Sequence, residues 1–195
     1  MIYLLRHGET VLNAAGRFQG KNDSPLTARG IQQARQAGIR LAREISGREE
    51  AFELQVSPLG RTKETAAWIV LATPLRINYQ PQLQEVSLGS WDGMSLYEIA
   101  QEYPCALQAI TPFDWFFRSP DGETFEHAAA RAQLWLANVT KPTIAVSHAL
   151  IGRLIRGAYL GLSRDETLAL PTPQDGFHLL HEGCVDLLEA APKLS

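Results

Sequence analysis

Short apolar runs alternate with longer amphipathic stretches along the chain. Ile2–Leu5, Leu54–Ser57, Ile77–Tyr79 and Thr143–Ser147 have the length and composition of buried strands. Helical periodicity fills the intervals. After Pro25-Leu26-Thr27, residues Ile31, Ala34, Gly38, Leu41 and Ile45 fall on one helical face, with Thr27 placed to cap it. Thr65, Ala66, Ile69 and Val70 mark a second helix, and Phe125, Ala128, Ala132, Trp135 and Val139 a third. Leu150, Ile151, Leu154, Ile155 and Ala158 mark a fourth, which starts directly after His148. The segment GFHLLHEGCVDLLEA reads as two strands around a turn at Glu182-Gly183.

Strands alternating with helices predict an α/β fold: a three-layer domain with a mainly parallel central sheet, helices on both faces and a C-terminal hairpin. No composition shift, linker or internal repeat divides the chain, so residues 1–195 are expected to form one domain. The one long irregular tract is TPFDWFFRSPDGE, residues 111 to 123, with an aromatic cluster inside it.

Charge and cysteine content narrow the function classes. A formal charge of −3 is not that of a generally basic surface, so nucleic-acid partners are not expected. No apolar run approaches the ~18–20 residues of a membrane span, and the first residues lack a signal-peptide pattern. Cys105 and Cys184 make neither a disulfide framework nor a metal-ligand spacing. A reducing cytoplasm is the expected setting, and the Asn138-Val139-Thr140 sequon carries no weight there.

Four strand ends could carry chemistry. In open α/β sheets, ligands sit outside the carboxyl ends of parallel strands. Arg6 and His7 stand at the first such end, before Gly8-Glu9, with Asn13 and Gln19-Gly20 further on. Taken alone, a histidine there is more often a packed or solvated cap. Ser57-Pro58-Leu59-Gly60-Arg61-Thr62 follows the second strand, with Arg61 near a helix start that favours anions. Val146-Ser147-His148-Ala149 repeats the pattern, and the amides after His148 could hold an oxyanion. Glu85, ahead of Gly89-Ser90-Trp91-Asp92-Gly93, reads alone as a solvated carboxylate.

Together, two histidines and two arginines at strand ends suit a dianionic phosphoryl group, which arginine can engage bidentately. Glu85 would then be the obvious proton source for a leaving alkoxide. His7, His127, His148, His178 and His181 show no helical metal-ligand spacing, and no metal or other cofactor is expected. Walker, G-x-G-x-x-G and G-x-S-x-G patterns are absent, so covalent chemistry would run through histidine.

These residues resemble the histidine phosphatase superfamily, the phosphoglycerate mutase-like family, over nearly the whole chain. The motifs occur in family order: LLRHGET with Asn13, FQGKNDSPLTARGIQQA, SPLGRTKETA, LQEVSLGSWDG, PDGETF and VSHA. The resemblance implies that His7 is a nucleophile phosphorylated during turnover. It implies that Arg6, Arg61 and His148 bind phosphoryl oxygens with Asn13 assisting, and that Glu85 is the general acid. Gln19 and Gly20 are assigned to the substrate site on the same basis. One departure is Ala149, where the family usually has glycine; its methyl is expected to crowd the phosphate slightly or turn His148 without abolishing activity.

Mutases of the family are longer and carry Arg-His-Tyr-Gly after the donor glutamate. Here Val86-Ser87-Leu88-Gly89 follows Glu85, and Arg118 and Arg131 are the only arginines between it and His148. Hydrolysis of a small-molecule phosphomonoester is therefore expected, of the broad-specificity or α-ribazole phosphatase-like kind. Phosphoglycerate mutase activity and a non-catalytic phosphoester-binding domain are the alternatives. Phe113–Arg118 is expected to cover the pocket or to pad the core, and Lys21 to meet a second anionic group. The family contains many dimers, so a homodimer is among the expected partners. Because arginine and histidine supply the positive charge, hydrolysis of a chromogenic phosphomonoester should persist at full rate in chelator; an assay with and without EDTA checks it.

Overall fold

The computed structural model describes residues 1–108 and 114–190. Its centre is a six-stranded sheet built from β1 (Ile2–Arg6), β2 (Glu53–Val56), β3 (Ile77–Tyr79), β4 (Thr143–Ser147), β5 (Gly176–His181) and β6 (Cys184–Glu189). The spatial order is β3-β2-β4-β1-β5-β6. The first four are mutually parallel, whereas β5 runs antiparallel to β1 and β6 antiparallel to β5. The parallel sheet and the hairpin about Glu182-Gly183 are as the sequence predicts. Glu182 takes a positive φ of 46°, with Gly183 at 78°, the geometry of a tight two-residue turn.

Alternation along the strands divides the core. Ile2 and Leu4 of β1, with Ala145 of β4, face α5 (Phe125–Ala137) and α6 (Ala149–Leu160). Tyr3, Leu5, Ile144 and Val146 face α2 (Ala28–Ile45) and α3 (Gly60–Ala72). Side chains of period two thus fill both sides of a sheet buried on both faces. Ala34, Gly38, Leu41 and Ile45 of α2 are buried as expected, and Thr27 Oγ caps the helix by accepting from Gly30 N. Ile31, expected on that face, is 40% exposed.

Shorter elements escaped the sequence reading. They are α1 (Val11–Ala14), α4 (Leu96–Glu102), α7 (Arg164–Ala169) and several 3-10 turns. None is long enough for periodicity to identify, although Thr10, Ser95 and Ser163 each close a capping box that fixes the start. The aromatic tract is partly regular, with a 3-10 turn at Asp114–Phe117; Phe113 and its neighbours back to residue 111 lie outside the described residues. A satellite core of Leu88, Trp91, Ile99 and Trp115 roofs the loops beyond the sheet. Among the described residues no helix is long and apolar enough to cross a membrane.

One backbone contact positions the end of β1. A side chain at Gly8 would collide with Gly30 O, and one at Gly30 with Glu9 O. The turn after His7 therefore lies flat against the first turn of α2, and Thr27 N donates to Glu9 O at 2.9 Å. Gly30→Ala should destabilise the protein by about 1–3 kcal/mol through overpacking, even though alanine favours a helix interior by about 1 kcal/mol. Urea denaturation midpoints of the two proteins measure the net sign.

Candidate active site

Three adjacent strands, β2, β4 and β1, deliver their carboxyl ends side by side. Arg6 is paired in register with Ser147, and Val56 with Val146. His7 N then donates to Ser147 O at 3.0 Å, and Ser57 N to Val146 O at 3.0 Å, so the ladder continues one residue into the site. His7, Arg61 and His148, expected together from separate motifs, do converge there.

The contact that joins them is the Arg61 guanidinium, only 1% exposed. Its Nε lies 3.2 Å from His7 Nε2 and 3.1 Å from His148 Nδ1. Both of those ring nitrogens must accept, which sets the tautomers. The ring proton of His7 is on Nδ1 and is donated to Gly8 O at 2.8 Å. That of His148 is on Nε2 and is donated to Ser57 Oγ at 2.7 Å. The rings stand 5.2 Å apart, inclined by 60°.

Both imidazoles are held neutral. Burial pushes the His7 pKa well below the usual imidazole value, with Arg6 and Arg61 adding to the effect. For His148 burial again leads, followed by Arg61, His7 and Arg6. Neutral His7 thus presents an unprotonated Nε2 beside a cation.

Arg6 is held from the other side. Its Nη1 donates to Thr172 O at 2.9 Å, while its Nε is buried without a protein partner. Burial lowers its pKa to about 10. An orphaned guanidinium donor beside the cavity suits an anion's oxygen. Two further arginines grip the same strap: Arg153 Nε donates to Leu170 O at 2.7 Å and Arg156 Nη2 to Pro171 O at 2.6 Å. Three consecutive carbonyls thus receive three arginines. Pro171 and Pro173 stiffen the strap and offer no competing N–H. Gln174 Nε2 then donates to His7 O at 3.1 Å.

Arg6, His7, Asn13, Gln19, Gly20, Arg61 and Glu85 all border one cavity of about 490 Å³. His148 stands a layer behind, 2% exposed, and reaches the centre through Arg61. Asn13 Oδ1 closes the α1 capping box by accepting from Thr10 N at 3.3 Å, which leaves its NH₂ as the remaining donor. Gln19 Oε1 accepts from Ser24 Oγ at 3.2 Å. Gly20, at φ 49°, gives its carbonyl to Arg61 Nη2 at 2.7 Å, and any side chain there would run into Asp92. Its role here is to hold Arg61.

Glu85 occupies the position the sequence offered to an oxyanion. Its carboxylate accepts from Leu150 N at 3.1 Å and Ile151 N at 3.0 Å, the free amides at the start of α6, and from Val86 N at 2.9 Å. The peptides leading into Glu85 are held by Arg131, whose Nη1 donates to Gln82 O at 2.6 Å and Gln84 O at 2.8 Å. Ala149, the first residue of α6, borders the cavity and has no positive φ, so the backbone does not require glycine there.

The rest of the cavity lining is mixed. Phe18, Val86, Leu88, Phe116 and Leu150 contribute apolar lining, and Glu9, Arg17, Arg153, Thr172 and Gln174 polar lining, with the Arg153 guanidinium 5.9 Å from the centre of the Phe116 ring. Phe116 therefore does border the cavity, whereas Trp115 belongs to the satellite core. Lys21 does not border it; it flanks a separate depression with Gln84, His127 and Arg131. Sequence reasoning missed Ser57, Asp23, Arg153 and the strap. Ser57 and Asp23 lie inside motifs already singled out, but the strap has no motif of its own.

With this geometry in view, the chain belongs to the histidine phosphatase superfamily (branch 1), whose model matches residues 2–181. It is 35% identical over 167 residues to a probable phosphoglycerate mutase GpmB of Salmonella arizonae, covering 83% of this chain and 75% of that one. Its fold matches a putative alpha-ribazole-5'-P phosphatase of Escherichia coli with TM-score 0.80 at 23% identity, over 96% and 94% of the two chains. YhfR of Bacillus stearothermophilus matches with TM-score 0.77 at 27% identity, over 96% and 95%. A mycobacterial glucosyl-3-phosphoglycerate phosphatase, Rv2419c, gives 0.74 at 26%, over 91% and 87%.

The neutral histidines have a pH signature. His7, His148 and His178 have folded-state pKa values below the unfolded value, that of His178 at about 4, chiefly through burial and then Arg156. Between those values and about 6.5 the unfolded chain binds more protons. Their contribution is therefore complete above about pH 6.5 and lost as pH falls below it. Denaturation midpoints should change little above about pH 6.5 and decline from there to about pH 5; equal midpoints would contradict the neutral pair.

Proposed function

We propose that the protein is a metal-independent phosphomonoester hydrolase acting on a small-molecule ester through a phosphohistidine. The observation that carries this is the shared Arg61 Nε, 3.2 Å from His7 Nε2 and 3.1 Å from His148 Nδ1, with the His7 proton committed to Gly8. Nε2 is the one ring nitrogen of His7 with an unprotonated pair, and a cation stands where phosphoryl oxygens would sit.

In the first half-reaction His7 Nε2 forms the N–P bond while the P–O bond to the leaving group breaks. Glu85, protonated in the ester complex, gives its proton to the departing oxygen. Arg6 and Arg61 stabilise the charge on the equatorial oxygens, with Asn13 as a further donor. His148 holds Arg61 in line and faces the transferred group from behind it. In the second half-reaction the Glu85 carboxylate takes a proton from water, which attacks phosphorus and releases His7. The product is inorganic phosphate and the free alcohol. Gln19 borders the leaving-group space, where Phe18 and Phe116 favour an apolar or ring-bearing group.

The mutase reading has one observation in its favour, the name carried by the 35%-identical relatives. Against it, the two arginines between Glu85 and His148 are both engaged elsewhere. Arg118 pairs with Asp114 at 3.1 Å, and Arg131 with Glu123 at 2.8 Å. Neither borders the cavity, whose further arginines are Arg17 and Arg153. Incubation with a monophosphoglycerate should yield free phosphate rather than the isomeric ester.

Rapid quench without acid should trap phosphate on the wild-type protein and none on His7→Ala. Glu85→Gln should slow alkyl phosphates by about 10²–10⁴ and nitrophenyl phosphate far less. Equal losses on both esters would remove Glu85 from the general-acid role.

A further inference from the structure

Asp23 carries a densely engaged carboxylate beside the site, which no part of the proposed chemistry uses. Its Oδ1 accepts from Arg61 Nη1 at 2.9 Å and from Arg61 N at 3.3 Å. Its Oδ2 accepts from Gly60 N at 2.5 Å. Leu59, the residue at the N-cap of α3, provides no side-chain cap. Asp23 therefore caps α3 from a distance and grips the same arginine by both main chain and guanidinium. A Cβ at Gly60 would lie 3.0 Å from Oδ2, so the glycine keeps that approach open.

The rest of the guanidinium is held by the same loop. Nη1 also donates to Asn22 O at 2.8 Å, and Nη2 to Gly20 O at 2.7 Å. Both Nη1 protons and one on Nη2 are thereby spent on residues 20 to 23. The loop itself is pinned to the far side of the cavity, since Lys21 N donates to Asp92 Oδ2 at 3.0 Å.

We propose that Asp23 is the positioning residue for Arg61, fixing the rotation of its guanidinium so that Nε faces the gap between His7 and His148. Arg61 is a buried cation, and an unpaired buried cation is costly. Three carboxylates compensate it: Glu85 on the cavity side, Asp23 on the solvent side and 40% exposed, and, more weakly, Asp92. Resting on the proposed mechanism, Glu85 loses and regains its charge in every cycle. Asp23 is the constant counter-charge that also grips the guanidinium directly, and it keeps Arg61 from following the proton on Glu85.

The groups facing the histidine pair are Arg6 at the end of β1, Arg61 on α3, Glu85 ahead of α6 and, further off, Arg131 on α5. If Asp23→Asn frees the guanidinium, the pair loses its nearest cation and both rings become easier to protonate. If Arg61 instead stays in place, losing a nearby negative charge makes them harder to protonate. The two cases move the titration in opposite directions.

The test is ring-nitrogen NMR titration of His7 and His148 in wild type, Asp23→Asn and Asp23→Glu, with inorganic phosphate affinity measured on the same samples. Melting temperature establishes that each is folded. We expect at least one ring to titrate closer to about 6.5 in Asp23→Asn, phosphate to bind about tenfold or more weaker, and Asp23→Glu to recover part of both. Should the asparagine protein not fold, the glutamate protein carries the test, with a displaced carboxylate and smaller shifts of the same sign. Rings that titrate at or below their wild-type positions, with phosphate affinity within twofold, would overturn the proposal. Neither readout uses turnover, so a wild-type protein that hydrolyses no ester would sink the phosphatase reading and leave this one intact.

Discussion

Everything at the centre depends on one buried guanidinium. Arg61 is almost fully removed from water, yet its Nε is shared between two imidazoles that burial itself keeps neutral. A cation in such surroundings is tolerable only with dense hydrogen bonding and nearby negative charge. The fold supplies both: the backbone of residues 20 to 22, Asp23 outside and Glu85 inside. The histidines are acceptors toward Arg61 because their other ring nitrogens already donate, one to Gly8 and one to Ser57. Tautomer, charge state and geometry are three expressions of a single hydrogen-bond arrangement.

The sheet sets that arrangement. β4 and β1 are neighbours, with β2 on the other side of β4, and all three point their carboxyl ends the same way. The antiparallel hairpin lies beyond β1 and keeps the reactive strand away from an edge. A displacement of one register step would turn His7 to the opposite face. The flat contact between Gly8 and Gly30 fixes the same residue from the helix side.

Much of this was legible in the sequence. The strand runs ending in Arg6-His7 and Ser147-His148 survive because short buried strands leave a continuous apolar record and abrupt polar ends. The hairpin was legible because Glu182-Gly183 is a turn with a steric mechanism. What escaped lacks any such record. Helices of four to seven residues hold too few turns to show a period. Glu85 on the amides of Leu150 and Ile151 joins residues 65 and 66 positions apart, and nothing in the local sequence says that a carboxylate will reach that helix before a ligand does. Lys21 misled for the opposite reason: its neighbours face inward while its own side chain flanks a different depression.

The strap from Leu170 to Thr172 is bound by Arg153, Arg156 and Arg6 through main-chain oxygens alone. Those anchors recognise a path and are blind to the side chains along it. Thr172 borders the cavity, and its side chain can be exchanged while Arg6 keeps its acceptor; Gln174, just beyond, is tied to His7 O by its own side chain. At Thr172 the cavity lining can therefore vary in shape and polarity while the main chain that anchors Arg6 stays where it is.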